Sequence, residues 1–206
     1  YAYRWFNRII AFRYMDVHGF TGTPVVSPAG LTSTNGLPEV LAAAKRGEYD
    51  SRVFSLRVND KAKERIEGLL SGSILADDPQ GRAYGLLLQS ECRFWNHNLP
   101  FMFESVGKEA GRVDELLMPA DLLAEGSVLR NAVEVMTPED CGVDDPSGNV
   151  EIIGWLYQYY ISERKNEVMD GFKRNRKAGA EEIPAATQLF TPDWIVRYLV
   201  QNTVGR

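Results

Sequence analysis

Only one stretch of this 206-residue chain alternates polar and apolar residues as a strand does: Arg52-Val53-Phe54-Ser55-Leu56-Arg57-Val58. A lone strand has no ladder partner and cannot stand as a sheet. Elsewhere apolar residues recur at helical spacing, broken by Gly- and Pro-rich connections. The expected fold class is therefore mainly α, a multi-helix accessory domain with at most a minor strand element.

Trp5, Ile9 and Phe12 form one stripe of a helix over residues 1–18, which Gly19 should stop. Residues 21–36 read as an exposed loop. A short helix is expected from Pro38 to Arg46, and Asn59 or Asp60 should cap another running to Leu70. Over 80–97 the pattern places Tyr84, Leu87, Leu88 and Phe94 inward. Further helical candidates are Val113–Leu117, Asp121–Val135, a capped start at Thr137-Pro138, and the long segment Val150–Met169. Thr191 should cap a last helix to Asn202, with Ile195 and Leu199 on its core side. Seven or eight helices are expected in all, and no internal repeat is visible.

Composition removes several classes. Apolar residues are 44% and charged residues 25%, which is neither a disordered nor a membrane-spanning balance. No run of about 20 apolar residues occurs. Cys92 and Cys141 stand alone, as reduced thiols of a cytoplasmic protein do. A net charge of −5 argues against indiscriminate coating of nucleic acid. The charge is uneven, however. Residues 101–150 hold eleven acids against three bases, whereas Lys173, Arg174, Arg176 and Lys177 cluster beyond them.

The residues do not spell out a catalytic site. His18 and His97 have no His or Cys three or four positions away, so no metal site is expected. Asp144-Asp145-Pro146-Ser147-Gly148 imitates a nucleotide-binding turn but lacks a preceding buried strand and a second Gly. Asn98-Leu99-Pro100-Phe101 imitates a base-gripping loop, but Leu99 stands where a Pro would fix the backbone. The pairs Glu64/Glu67 and Asp77/Asp78 read as solvated. The best binding candidate is the basic cluster Lys173, Arg174, Arg176 and Lys177, placed between helices where its arms can reach DNA phosphates. Trp155, Tyr157, Tyr159 and Tyr160 upstream read as core aromatics.

Thr187-Gln188-Leu189-Phe190-Thr191-Pro192, followed by Asp193-Trp194-Ile195-Val196, resembles the segment leading into the catalytic domain of adenine-specific DNA methyltransferases. Type I modification subunits are distantly similar. Val150-Glu151-Ile152-Ile153-Gly154-Trp155 through Ser162-Glu163, Trp5-Phe6-Asn7-Arg8-Ile9, Arg13-Tyr14-Met15-Asp16-Val17 and Pro119-Ala120-Asp121-Leu122-Leu123 narrow the resemblance. Together they look like the N-terminal helical region of the BREX phage-exclusion methyltransferases. The resemblance is densest over 150–206 and thinnest over 19–80.

That resemblance implies a parent enzyme using S-adenosylmethionine to methylate the exocyclic amine of adenine in double-stranded DNA, after flipping the base. Host marking in phage defence or restriction-modification would be its purpose, alongside other phage-defence subunits. Phe190, Thr191 and Pro192 would be cofactor-binding residues at a helix start, whose N–H groups suit a carboxylate. In that family the Gly-rich cofactor turn and the catalytic loop come later, so no catalytic residues are expected here. Residues 1–180 would be a helical accessory domain for DNA or partner docking. Residues 181–206 would be a linker and the start of the catalytic domain, ending in its first helix. The chain starts at Tyr1 in what reads as mid-helix, and we read it as a piece of a larger protein, inactive alone. The competing reading is a protein–protein interaction module with no direct DNA role, its acidic 101–150 face meeting a basic partner.

Overall fold

The computed structural model describes residues 2–30, 36–100, 102–103, 118–119, 121–143, 151–180, 182–187 and 191–205. Among them the regular structure is helical; pairing of strand type is limited to one isolated bridge between Pro28 and Pro38. The chain divides into two compact units, Tyr1–Val143 and Asp144–Arg206. No helix of the described residues is long and apolar enough to cross a membrane.

The first unit contains α1 (Ala2–Val17), α2 (Glu39–Lys45), α3 (Ser51–Phe54), α4 (Arg57–Leu70), α5 (Pro79–Trp95) and α6 (Val128–Val135). As the spacing predicts, Trp5, Ile9 and Phe12 of α1 are buried, and Gly19 leaves the helix with φ 68°. Phe12 packs on Phe103 with ring centroids 4.8 Å apart. Truncating such a side chain to Ala costs about 3–5 kcal/mol.

The most enclosed element is α5. Asp78 caps it, accepting from Gly81 N at 2.9 Å, with Pro79 at the first helical position, where a missing N–H does no harm. Tyr84, Leu87 and Leu88 are buried as expected, while Phe94 is half-buried. Between its two ends, α5 reaches solvent along the line of positions 82, 86, 89 and 93, because the remaining sides meet α2, α3 and α4.

Residues 21–30 are irregular, yet not the exposed loop the composition suggests: Thr21, Val25, Val26 and Ser27 are buried. A buried backbone outside a ladder needs its own hydrogen-bond partners. Asp16 supplies them, accepting from Thr21 Oγ1 at 2.7 Å and from the N–H groups of Val25, Val26 and Ser27 at 2.8–2.9 Å. The loop's carbonyls in turn finish α2, which has no side-chain cap: Glu39 N donates to Ser27 O and Val40 N to Pro24 O, both at 2.9 Å. Tyr84 adds its hydroxyl to Val25 O at 3.1 Å.

Four other expectations give way. The strand expected at 52–58 is α3 followed by the start of α4. Asp50 accepts from Arg52 N at 2.9 Å and pairs with its guanidinium at 2.7 Å, a local bond that favours a helical turn over extension. Asn59 does not cap α4. It lies inside the first turn with its side chain turned inward, donating to Val53 O at 2.8 Å. The helix expected over 121–135 forms only from Val128, because Gly126 turns the chain with φ 74° and Ser127 makes a new cap, accepting from Arg130 N. At 137–143 the capped start does not propagate beyond a turn, in which Asp140 N donates to Thr137 Oγ1 at 3.1 Å. Val113–Leu117 and Asp144–Gly148 lie outside the described residues.

The second unit contains α7 (Glu151–Lys173), α8 (Ile183–Thr187) and α9 (Asp193–Thr203), with α8 folded back on α7. Ile152 and Val168 of α7 are buried. The side chains of Trp155, Tyr157, Tyr159 and Tyr160 are outside the described set, and with them the expectation of core aromatics.

Candidate functional site

The predicted basic cluster forms the exit from α7. The helix ends in a paired 6→1 and 5→2 arrangement: Arg176 N donates to Gly171 O and Asn175 N to Phe172 O, both at 2.9 Å. Asn175 takes the left-handed position at φ 57°, which Asn tolerates better than most residues. This closure fixes where the four cations point.

They divide into two kinds. Lys173 pairs with Asp170 one turn back at 2.8 Å, and Arg176 pairs with Glu182. Glu182 also accepts from Arg164 at 3.3 Å and from Gly179 N at 3.1 Å. The Gly179 N–H and then Arg176 hold the Glu182 carboxyl below its usual pKa. Arg176 is thus part of a clasp between α7 and the start of α8. Arg174 and Lys177 are exposed and, among the described residues, their side chains have no ion pair or hydrogen bond. Two of the four predicted DNA-contacting residues are engaged internally, and two are open to a partner.

Of the three predicted cofactor residues, Phe190 lies outside the described set. Thr191 and Pro192 are exposed at the start of α9. Thr191 is not the cap the sequence suggests. Pro192 occupies that position with φ −54° and ψ 141°, its carbonyl accepting from Ile195 N at 3.0 Å, and no side chain caps the first turn. An extended backbone before a helix is natural for Pro, whose ring fixes φ. Among the described residues no side chain accepts from the opening N–H groups of α9, an arrangement that accommodates a ligand carboxylate.

Beyond that turn α9 is apolar and open. Trp194 is 71% exposed, Tyr198 63% and Leu199 53%, so Leu199 is not the core residue its spacing predicts. The moment of the helix is real, but the described residues of its unit offer nothing to cover it.

A buried acid escaped the sequence reading. Glu91 of α5 is enclosed, and burial, with Asp50 and Asp16 nearby, raises its pKa to about 8 against the pull of Arg52 and a hydrogen bond from Trp95. The signal was present: Glu91 falls in line with Tyr84, Leu87 and Leu88 at helical spacing. It stands in the packed side of α5, away from any open cleft, and is a structural group. The pairs Glu64/Glu67 and Asp77/Asp78 are exposed. His97 is exposed just past α5, and the His18 ring lies 3.0 Å from Cys141 O. Among the described residues no group of three or more His, Cys, Asp or Glu side chains is placed to hold a metal ion.

Over its full length the chain is 38% identical to the adenine-specific methyltransferase BrxX of Escherichia coli O9:H4 (strain HS), in an alignment of 211 residues. It is 36% identical over 207 residues to the adenine-specific methyltransferase PglX of Lacticaseibacillus casei (strain Zhang). The chain spans 15% and 16% of the lengths of these curated relatives. No family model matches it. The resemblance to BREX-type adenine-specific methyltransferases therefore extends across the whole chain.

Proposed function

We propose that this chain, similar throughout to a segment of BREX-type adenine-specific methyltransferases, is the helical accessory part of such an enzyme. The parent uses S-adenosylmethionine to methylate the exocyclic amine of adenine in double-stranded DNA, marking host DNA for phage defence or restriction-modification. The observation that carries this reading is the full-length identity to two proteins named as adenine-specific methyltransferases.

Within that enzyme residues 1–180 dock DNA or partner subunits, and residues 181–206 lead into the catalytic domain. Phe190, Thr191 and Pro192 supply one wall of the cofactor site. S-adenosylmethionine, when bound, brings an activated methyl group. The contribution of this chain is the uncapped first turn of α9, which receives the cofactor's carboxylate through backbone N–H groups. Arg174 and Lys177 touch DNA phosphates, positioning the duplex without reading its sequence. The chain by itself transfers no methyl group.

Calorimetric titration of S-adenosylmethionine tests the assignment, using this chain and a form extended downstream by roughly one domain, on the order of 150 residues. Binding by the extended form alone is the expected result. Binding by neither would remove the cofactor wall, and methylation of DNA by the short chain would overturn the division of labour. A second reading, an interaction module with no direct DNA role, draws on the open apolar surface of α9, which suits burial against protein. Indifference to DNA at low salt, with stable capture of a partner, would favour it.

A further inference from the structure

A second cationic surface lies in the first unit, far along the sequence from the basic cluster. Arg57, Lys61 and Arg65 are spaced four residues apart on α4, so they rise in steps of about 6 Å along one side of the helix. All three are exposed, and among the described residues none of their side chains has a hydrogen bond or ion pair. The acids of the same helix, Asp60, Glu64 and Glu67, fall on the other side of its exposed surface. There Glu67 stands 4.0 Å from Lys63, whose ammonium lies 4.9 Å over the Tyr49 ring. Lys63 apart, the cations of α4 therefore lie to one side of its exposed surface and the acids to the other.

At Arg65 the cationic edge borders α5. Arg65 and Leu69 of α4 line a hollow of about 410 Å³ together with Arg82, Leu86 and Gln89, the open line of α5. Arg82 is likewise exposed, its side chain without a hydrogen bond or ion pair among the described residues. Asp77 and Asp78 also line the hollow, on the connection between the helices, and Asp78 already holds Gly81 N. Two cations, Arg65 and Arg82, thus line the hollow, and Lys61 and Arg57 continue the row along α4 beyond it, in a chain whose net charge is −5.

We infer that Arg57, Lys61, Arg65 and Arg82 form a contact surface for the phosphate backbone of duplex DNA. The step along α4 is comparable with that between successive phosphates on one strand, and guanidinium and ammonium groups are the usual phosphate partners. This contact is independent of base sequence. It rests on the reading that the parent acts on DNA, and it gives the first unit a defined part in holding the duplex.

The test is DNA binding by the full-length protein to a random-sequence duplex, followed by anisotropy across a salt series. The wild type is compared with Arg57→Gln/Lys61→Gln/Arg65→Gln/Arg82→Gln and with the control Lys63→Gln. Each phosphate contact contributes about 0.9 to the slope of log K against log salt. The fourfold variant should therefore lose roughly 3 to 4 from that slope and bind at least about tenfold more weakly at low salt. Lys63→Gln should match the wild type. An unchanged slope in a fourfold variant with wild-type thermal midpoint overturns the proposal, and so does loss of binding to poly-glutamate with DNA binding intact, which would assign the groove to an acidic protein. If the full-length wild type methylates adenine in DNA while the fourfold variant keeps its slope, only this surface falls. If the wild type neither binds nor methylates DNA, the parent reading falls with it.

Discussion

Arg13 and Asp16, one turn apart on α1, grip the same residue from two sides: Ser27 donates its N–H to Asp16 at 2.9 Å and accepts from the Arg13 guanidinium on its hydroxyl at 2.8 Å. Arg13 also reaches Met136 O at 2.9 Å, so one pair of side chains ties α1 both to the buried loop and to the end of α6.

Asp16→Ala should cost about 3 kcal/mol or more, because three backbone N–H groups and the Thr21 hydroxyl lose a buried acceptor together. Asp16→Asn, which keeps one accepting oxygen, should fall between. Denaturant unfolding measures both, and a loss below about 1 kcal/mol for the Ala variant would refute the role of the loop anchor.

Stability should depend on pH through Glu91. Its carboxyl keeps its proton up to about pH 8 in the folded chain, against an ordinary value of 4.5. Between those values the unfolded chain has released the proton and the folded chain has not. Rising pH therefore favours unfolding across that window, and the effect levels off above it. Glu91→Gln should be near neutral at pH 5 and more stable than the wild type by about 3 kcal/mol at pH 8, flattening the dependence. Thermal midpoints across pH 5–8.5 read this directly; parallel curves for the two proteins would contradict it.

The cluster after α7 should not behave as four equal cations. Arg174→Ala/Lys177→Ala should reduce the salt dependence of DNA binding by about 2, whereas Lys173→Ala/Arg176→Ala should have the smaller effect on DNA. The second pair should instead loosen the clasp at Glu182. That loosening should be small, because the cations of both pairs are open to solvent. Limited proteolysis at 174–181 and salt titrations separate the two outcomes; equal slopes for the two double variants would count against the division.

Asn175 sets the exit from α7. Asn175→Gly should leave stability within about 0.5 kcal/mol, while Asn175→Val should lose about 1–2 kcal/mol, since a β-branched residue fits φ 57° poorly. A Val variant as stable as the wild type would mean that the turn relaxes at little cost.

The helices carried by long apolar periodicity were legible: α1 from Trp5, Ile9 and Phe12, and α5 from Tyr84, Leu87 and Leu88. What escaped was decided by single polar side chains acting at short range. Asp50 turns an alternating stretch into α3, Asn59 enters the core instead of capping, and Gly126 cancels half of a periodic segment. The burial of Val25 and Val26 could not be read from a Gly- and Pro-rich loop, because the acceptor that permits it sits on α1.

The candidate site was legible as a group of residues but not as a set of pairings. That Lys173 and Arg176 are taken while Arg174 and Lys177 are open depends on Asp170 and Glu182, and on the chain reversal at Asn175. The edge of Arg57, Lys61 and Arg65 was hidden by the acids interleaved with it along α4, which separate only once the helix is wound.

The bond from Arg13 to Met136 joins residues 123 apart in the chain. During synthesis α1 emerges long before its closing partner, and at 5–20 residues per second the wait is roughly 6 to 25 s. For that interval a guanidinium destined for the interior must remain hydrated, and the apolar side of α1 must be shielded by transient contacts or a chaperone. The first unit therefore completes its fold late on the ribosome, only once residues beyond α6 have cleared the exit tunnel.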